Sequence, residues 1–278
     1  MRKRYSFSSR RTGRIENMTR QRKKYPDLLV KVVNDSDVLV EVLDIRFVLE
    51  MRNSEAEEWI RKQKKPLIIV FNKIDLLDKK QLSNKIVELE RLRPFLFLST
   101  KNRNGISVLR NAIKREVSKL GLENVSVGII GYPNTGKSSI INVLIGKHSA
   151  GTGAEAGFTK GIQKLRLMKG VVLLDSPGVI PPKDYSTIEQ KKISKDTTYG
   201  ARSYNKVKFP DNVVNDIMKE YPGVIEKHYN INSNGDTIEL IEFVGKKKGF
   251  LKKGGEINED MTARFILREW QEGKIKIS

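Results

Sequence analysis

Residues Gly131-Tyr132-Pro133-Asn134-Thr135-Gly136-Lys137-Ser138 follow one pattern: glycine, four residues, then Gly-Lys-Ser. An apolar run, Val125–Ile130, precedes them, and a helical pattern, Lys137–Ile145, follows. A strand that curls through glycines into a helix aims several backbone N–H groups at one point. The helix N-terminus adds the positive end of its dipole there, so the point suits phosphate. Lys137 is expected to place a point charge on the β- and γ-phosphates, and Ser138 to ligate Mg²⁺.

The chain around this unit alternates strand and helix signals. Val38–Asp44, Leu67–Phe71, Phe95–Ser99 and Val125–Ile130 read as apolar strands of the kind found inside parallel sheets. Helices are predicted between them. One runs from a Ser54-Glu-Ala-Glu57 capping box to about Gln63, one over Lys79–Arg91, and one over Ile106–Lys119, closed by Gly121. Ile162–Met168 and Val171–Leu174 read as two strands joined at Lys169-Gly170. The alternation predicts an α/β, doubly wound, mostly parallel sheet. Beyond about Pro181 apolar runs vanish, and Asp211–Glu220, Thr237–Val244 and Glu259–Gln271 read as amphipathic helices. The expected division is a basic arm over residues 1–25, a nucleotide-binding domain over 26–182 and a smaller helical domain over 183–278.

A phosphate loop does not choose a base. Asn72-Lys73-Ile74-Asp75, directly after the Leu67–Phe71 strand, does so. A carboxylate at Asp75 accepts two hydrogen bonds from guanine N1–H and N2–H. Adenine offers no such donors and would leave the carboxylate unpaired. The Lys73 stem is expected to cover the base, and Asn72 to tie this loop to the phosphate loop. Ser99-Thr100-Lys101 lies one helix and one strand further on, where a backbone N–H would meet guanine O6. Asp175-Ser176-Pro177-Gly178 follows the Val171–Leu174 strand. Asp175 is expected to reach Mg²⁺ through water, and the Gly178 amide to reach a γ-phosphate. In the glycine-rich stretch Gly151–Gly161, Thr159 or Thr152 supplies a switch threonine. Thr159 is favoured because it immediately precedes the strand leading to Asp175. Ordinary GTPases place the phosphate loop first. Here the two base-reading segments precede it, as if the standard domain had been joined end to end and cut between its second helix and fourth strand.

Composition narrows the partners. The 278 residues carry a formal charge of +20, no cysteine and two histidines, His148 and His228. Disulfides, thiolate metal sites and cysteine nucleophiles are excluded, and a histidine-rich metal centre is not expected. No stretch approaches the roughly 20 apolar residues that span a bilayer, so no membrane partner is expected. The charge is uneven. Residues 1–25 hold ten Lys or Arg and one acid, Glu16, and a second cluster comprises Lys246, Lys247, Lys248, Lys252 and Lys253. Both read as polyanion-binding surfaces, against the alternatives of a transit peptide over Met1–Arg14 and a solvated loop at the second cluster.

The ordered motifs resemble the circularly permuted GTPases of ribosome assembly, the YlqF/YawG type, over about residues 15–278. Asp44-Ile45-Arg46 stands where that family has Asp-Ala-Arg, and Asn72–Asp75, Ser99–Lys101, Gly131–Ser139, Gly157-Phe158-Thr159 and Asp175–Gly178 keep its order. The Lys247–Glu256 and Ala263–Arg268 segments are similar to its C-terminal RNA-binding region. Two departures stand out. Asn17-Met18 replaces a Gly-His-Met stretch, removing an N-terminal histidine, and Phe47-Val48 follows Asp-Ile-Arg where a proline is usual nearby. The resemblance implies a P-loop GTPase that binds rRNA and the large ribosomal subunit or its precursor. The alternatives are a GTPase acting on tRNA or mRNA, or a nucleotide-dependent RNA scaffold. The expected nucleotide site comprises Asn72, Lys73, Asp75, Ser99, Thr100, Lys101, Asn134, Thr135, Gly136, Lys137, Ser138, Ser139, Asp175 and Gly178. Of these, Lys137 and Gly178, with Thr159, are expected to serve hydrolysis, and Ser138, Thr159 and Asp175 to hold Mg²⁺. K⁺ enters as an option through Asn134, which is also a common filler at this position. A cytoplasmic monomer is expected.

Overall fold

The computed structural model describes residues 28–146, 162–176, 189–200 and 202–277. Thr152, Thr159, Gly178 and the arm over 1–25 lie outside them, as do the expected boundaries near 25 and 182.

Six strands among the described residues form one sheet: β1 (Val38–Asp44), β2 (Leu67–Asn72), β3 (Phe95–Phe97), β4 (Val125–Ile130), β5 (Gln163–Met168) and β6 (Val171–Asp175). Their order is β3-β2-β1-β4-β6-β5. All pairs are parallel except β5 with β6, the hairpin read from Lys169-Gly170. All seven β1 residues are buried, as a central strand covered on both faces requires. The chain steps from β1 to one side and from β4 to the other. The gap between those two strands is therefore the topological switch point, where such sheets bind ligands.

Helices connect the strands: α1 (residues 28–35), α2 (Val48–Met51), α3 (Ser54–Lys62), α4 (Lys79–Glu88), α5 (Ile106–Leu120) and α6 (Lys137–Ile145). Three sequence expectations change here. The cap of α3 is Asn53, whose side chain accepts the Ala56 N–H, so Ser54 is already helical. Glu57 is then free of a capping role and pairs with Arg52. The Lys79–Arg91 helix stops at Glu88 and tightens into a 3₁₀ turn at Glu90–Leu92. α1 was not foreseen: its valines, Val30, Val32 and Val33, favour strand over helix by propensity, and packing of Val32 and Val33 in the core overrides that preference.

The C-terminal part adds α7 (Glu189–Thr198), α8 (Pro210–Glu220), α9 (Val224–Tyr229), α10 (Thr237–Lys248) and α11 (Glu259–Gln271). α7 and α9 had no strong apolar periodicity. α10 runs past Val244 through Lys248, so the first three lysines of the second basic cluster lie on a helix rather than in a loop. These helices share one hydrophobic cluster with the sheet. Leu43, Phe47 and Phe71 pack there with Ile217, Leu240, Ile266 and Trp270. Phe47 sits 5.2 Å from Tyr199 and 6.3 Å from Trp270, centroid to centroid, so the departure after Asp-Ile-Arg places an aromatic anchor at this junction. Leu240, Ile241, Val244, Ile266 and Trp270 are buried as expected; Phe265 is only partly so, lying against Phe250.

Glu41 is buried in the middle of β1. Its Oε1 accepts the Asn53 N–H, and burial, reinforced by the charge of Glu57, pushes its pKa up to about 8. The folded carboxyl holds its proton where the unfolded one has lost it, so stability should fall as pH rises from 4.5 toward about 8. Thermal denaturation between pH 6 and 9 should show this slope in the wild type and its loss in Glu41→Gln. An identical slope in the variant would assign the dependence elsewhere.

Candidate nucleotide-binding site

The carboxyl ends of β1, β2, β4 and β6 bring Asp44, Asn72, Gly131–Ser138 and Asp175 to one edge of the sheet, and Ser99 follows β3 beside them. Asn72 ties three of these segments. Its Nδ2 donates to Thr135 O at 2.8 Å, and its Oδ1 accepts the Thr100 N–H at 3.4 Å. Gly136 makes the first bond feasible. Its φ is +100°, and a Cβ there would stand 2.3 Å from Asn72 Nδ2.

Asp75 is held by Ser99, whose hydroxyl donates to Oδ1 at 2.5 Å. Ser99 Oγ in turn accepts the Asn102 N–H, which fixes its proton on the Asp75 side. Lys73 adopts a left-handed φ of +66° and its Nζ meets Asp44 Oδ2 at 2.9 Å. Asp44 also receives the Arg46 guanidinium through both oxygens, at 3.0 and 2.8 Å. Burial alone would raise the Asp44 pKa, but Arg46 and then Lys73 outweigh it and hold the carboxyl well below the usual range. Removing one partner of such a buried pair costs about 3–5 kcal/mol. Lys101, by contrast, is exposed.

Lys137 is buried. Its Nζ donates to Tyr132 O at 2.8 Å and Gly131 O at 3.1 Å, so the ammonium lies across the phosphate loop. Burial lowers its pKa to about 8, with Asp175 opposing and Lys73 adding to the shift. Ser138 Oγ donates to Asp175 Oδ2 at 2.9 Å. A hydroxyl and a fully buried carboxylate thus present hard oxygen atoms side by side, a donor set that suits Mg²⁺. Asn134, with φ +60°, donates from Nδ2 to Gly200 O at 2.7 Å. Sequence reasoning missed this bond and the Arg46 contact to Trp270 described below, since both join segments far apart in the chain.

A parallel sheet with a phosphate loop and an Asn-Lys-x-Asp loop joined at its switch point is the core of a P-loop GTPase, here in permuted order. Residues 126–227 match the family described as 50S ribosome-binding GTPase. The GTP-binding protein MJ1464 of Methanocaldococcus jannaschii is 38% identical over 267 residues, covering 91% of this chain and 67% of that protein. Nucleolar GTP-binding protein 2 of Saccharomyces cerevisiae is 35% identical over 263 residues, covering 92% of this chain. The chain spans 53% of that yeast protein's length. YlqF from T. maritima bound to GNP superposes with a TM-score of 0.63 at 24% identity, over 90% of this chain and 94% of that one. Its GDP-bound structure gives 0.60 at 25% identity, over 89% and 96%. The chain belongs to the circularly permuted GTPases of the YlqF/YawG type, with MJ1464 and nucleolar GTP-binding protein 2 among its relatives.

Proposed function

We propose that this GTPase binds GTP at the β1–β4 switch point, hydrolyses it to GDP and phosphate, and uses the cycle to time its stay on rRNA of the large ribosomal subunit or its precursor. The observation that carries the reading is the Asn72 bridge, which locks the base-reading loop to the phosphate loop. In this reading Asp75, oriented by Ser99, reads guanine N1–H and N2–H, and the Lys73 stem covers the base. The Thr100 backbone, with Ser99 and Lys101 beside it, borders O6. The loop through Asn134, Thr135 and Gly136 cradles the phosphates, and Ser139 follows at the start of α6. Ser138 and Asp175, with Thr159, would hold Mg²⁺, which neutralises charge on the transferring phosphate. Lys137 neutralises phosphate from the loop side, and Gly178 is assigned the γ-phosphate contact.

The RNA part of the proposal rests on charge and placement. Lys246, Lys247 and Lys248 are exposed on the last turn of α10, and Lys252 and Lys253 are exposed in the turn beyond. Lys247 Nζ lies 5.5 Å from the Phe243 ring centre and Lys248 Nζ 5.1 Å from that of Phe265, so cations stand over aromatic rings on this surface. Among the described residues no helix is long and apolar enough to cross a membrane. Co-sedimentation with ribosomal particles in the presence of a GTP analogue tests the partner. Migration with large subunits supports the reading, and migration with tRNA or alone overturns it. Replacing the five lysines by alanine should flatten the salt dependence of RNA binding, by about 0.7–0.9 in log–log slope for each lost phosphate contact. Filter binding across a salt series checks this, with GDP binding measured alongside to show the fold is kept. An unchanged slope would make these lysines a solvated face.

A further inference from the structure

The carboxyl end of α11 is joined to the base-reading loop at two points, one through Arg46 and Asp44 and one directly at Leu76. At the first, Arg46 Nη1 donates to Trp270 O at 3.1 Å while the same guanidinium clasps Asp44, and Asp44 holds Lys73. Trp270 O also accepts the Gly273 N–H at 3.0 Å, so the guanidinium adds a second, charged donor at the negative end of the helix dipole. At the second, Gly273 closes α11 with φ +72°, and a Cβ on it would stand 2.7 Å from both Leu76 methyl carbons. Leu76 ends the 3₁₀ turn Ile74–Leu76 that contains Asp75. The same helix end reaches toward the phosphate loop. Trp270 Nε1 donates to Thr198 O and Gln271 Nε2 to Thr197 O and Arg202 O, which brace the turn whose Gly200 carbonyl accepts from Asn134.

We infer that the Trp270–Gly273 end of α11 is a positioning element for guanine recognition: it sets Lys73 through Asp44 and Arg46, and Asp75 through Leu76. An RNA that shifts α10 and α11 then changes guanine nucleotide affinity, and bound nucleotide changes RNA affinity by the same factor. The inference rests on the reading of Asn72–Asp75 as the base-reading loop.

Two variants leave every residue of that loop's reading edge in place. Gly273→Ala puts a methyl against Leu76. Arg46→Lys keeps the charge beside Asp44 but loses the planar fork that reaches both Asp44 and Trp270 O. Each should weaken GDP about tenfold, within the usual range of site-to-site coupling. Inorganic triphosphate, which has no base, should compete as well as it does against the wild type. The double variant Gly273→Ala/Leu76→Ala, which makes room for the new methyl, should bind GDP more tightly than Gly273→Ala alone. A merely structural role would weaken GDP and triphosphate together, without rescue. Either that result, or wild-type GDP affinity in folded Gly273→Ala and Arg46→Lys, overturns the inference. Asp75→Asn, assayed with GDP and xanthosine diphosphate in the same series, separates the two levels. If it leaves base preference untouched, the underlying reading has failed rather than the positioning role.

Discussion

Asp75→Asn should turn this protein from guanine to xanthine nucleotides. In the wild type, Ser99 donates to one Asp75 oxygen, and its own lone pair is taken by the Asn102 N–H. An asparagine in the same place will offer its carbonyl to Ser99, since Ser99 has a proton to give there. The amide NH₂ is thereby turned toward the base. Guanine presents N1–H and N2–H donors to it, while xanthine presents a carbonyl at C2. Guanine should lose about 3 kcal/mol, roughly 150-fold in affinity, from facing donors with a donor. Xanthine should gain in proportion. Competition between GTP and XTP for a fluorescent nucleotide measures both. Equal GTP and XTP affinities in wild type and variant would remove Asp75 from base recognition. The companion change Ser99→Ala should blunt the switch, because the asparagine amide would no longer be oriented.

The second large effect concerns the rate of hydrolysis. The residues after Gly178 are Val179 and Ile180, where Ras-like enzymes place the glutamine that orients the attacking water. Neither side chain can hold a water, and residues 1–25 contain no histidine. Turnover by the free protein should be on the order of 10⁻³ s⁻¹ or below, as for an unassisted GTPase. Nucleotide binding should nevertheless be sound, because the Asn72–Thr135 bridge and the Ser138–Asp175 pair are in place. On the proposed reading, the missing stabilisation of transition-state charge should come from outside the chain, with large ribosomal subunits as the expected source. Asn134 offers a second source: Nδ2 is committed to Gly200, and Oδ1 is the atom that would meet a monovalent cation. Single-turnover hydrolysis in KCl and in NaCl, with and without large subunits, distinguishes the sources. Acceleration by K⁺ alone assigns the role to Asn134. Fast turnover by the free protein in NaCl would overturn the slow-clock reading. No acceleration by subunits in either salt would remove the ribosome as activator.

The parts of this molecule that were legible in its sequence are those whose chemistry is local. The phosphate loop, Asn72–Asp75 and Ser99 each sit within a few residues of the strand end that aims them, and the strands carry continuous apolar runs. The order of those segments alone was enough to expect a permuted sheet. What was not legible depends on partners far along the chain. Arg46 could be placed in the Asp44-Ile45-Arg46 segment, but nothing near it in sequence tells that α11, 224 residues away, brings Trp270 O to it. Asn134 could be assigned to a cation or to nothing, and its bond to Gly200 carried no local signature. The predicted helix stopped at Val244, short of Lys246–Lys248, because Gly245 and the lysines interrupt the apolar spacing. The helix continues through them because Gly249, in the left-handed conformation, closes it only afterwards.

The place of β1 in the sheet bears on how the chain comes to be folded during synthesis. Among the described residues β1 is the first strand made, yet its two neighbours are β2 and β4, and β6 lies beyond β4. When β1, β2 and β3 have left the ribosome, one flank of β1, a strand buried along its whole length in the finished fold, still has open N–H and C=O groups and no partner. That flank is sealed only when residues 125–130 emerge, and the Ser138–Asp175 pair forms only once residue 175 follows. An ordinary GTPase makes its phosphate loop early and can be braced by nucleotide while the rest is translated. In this order of segments the base-reading loop is finished long before there is anywhere for phosphate to bind. Nucleotide can therefore act on the nascent chain only near the end of the sheet's assembly. Until then α1, α3 and α5 are the helices available to cover the half-built sheet, and its open central strand is where a chaperone would have the most to protect.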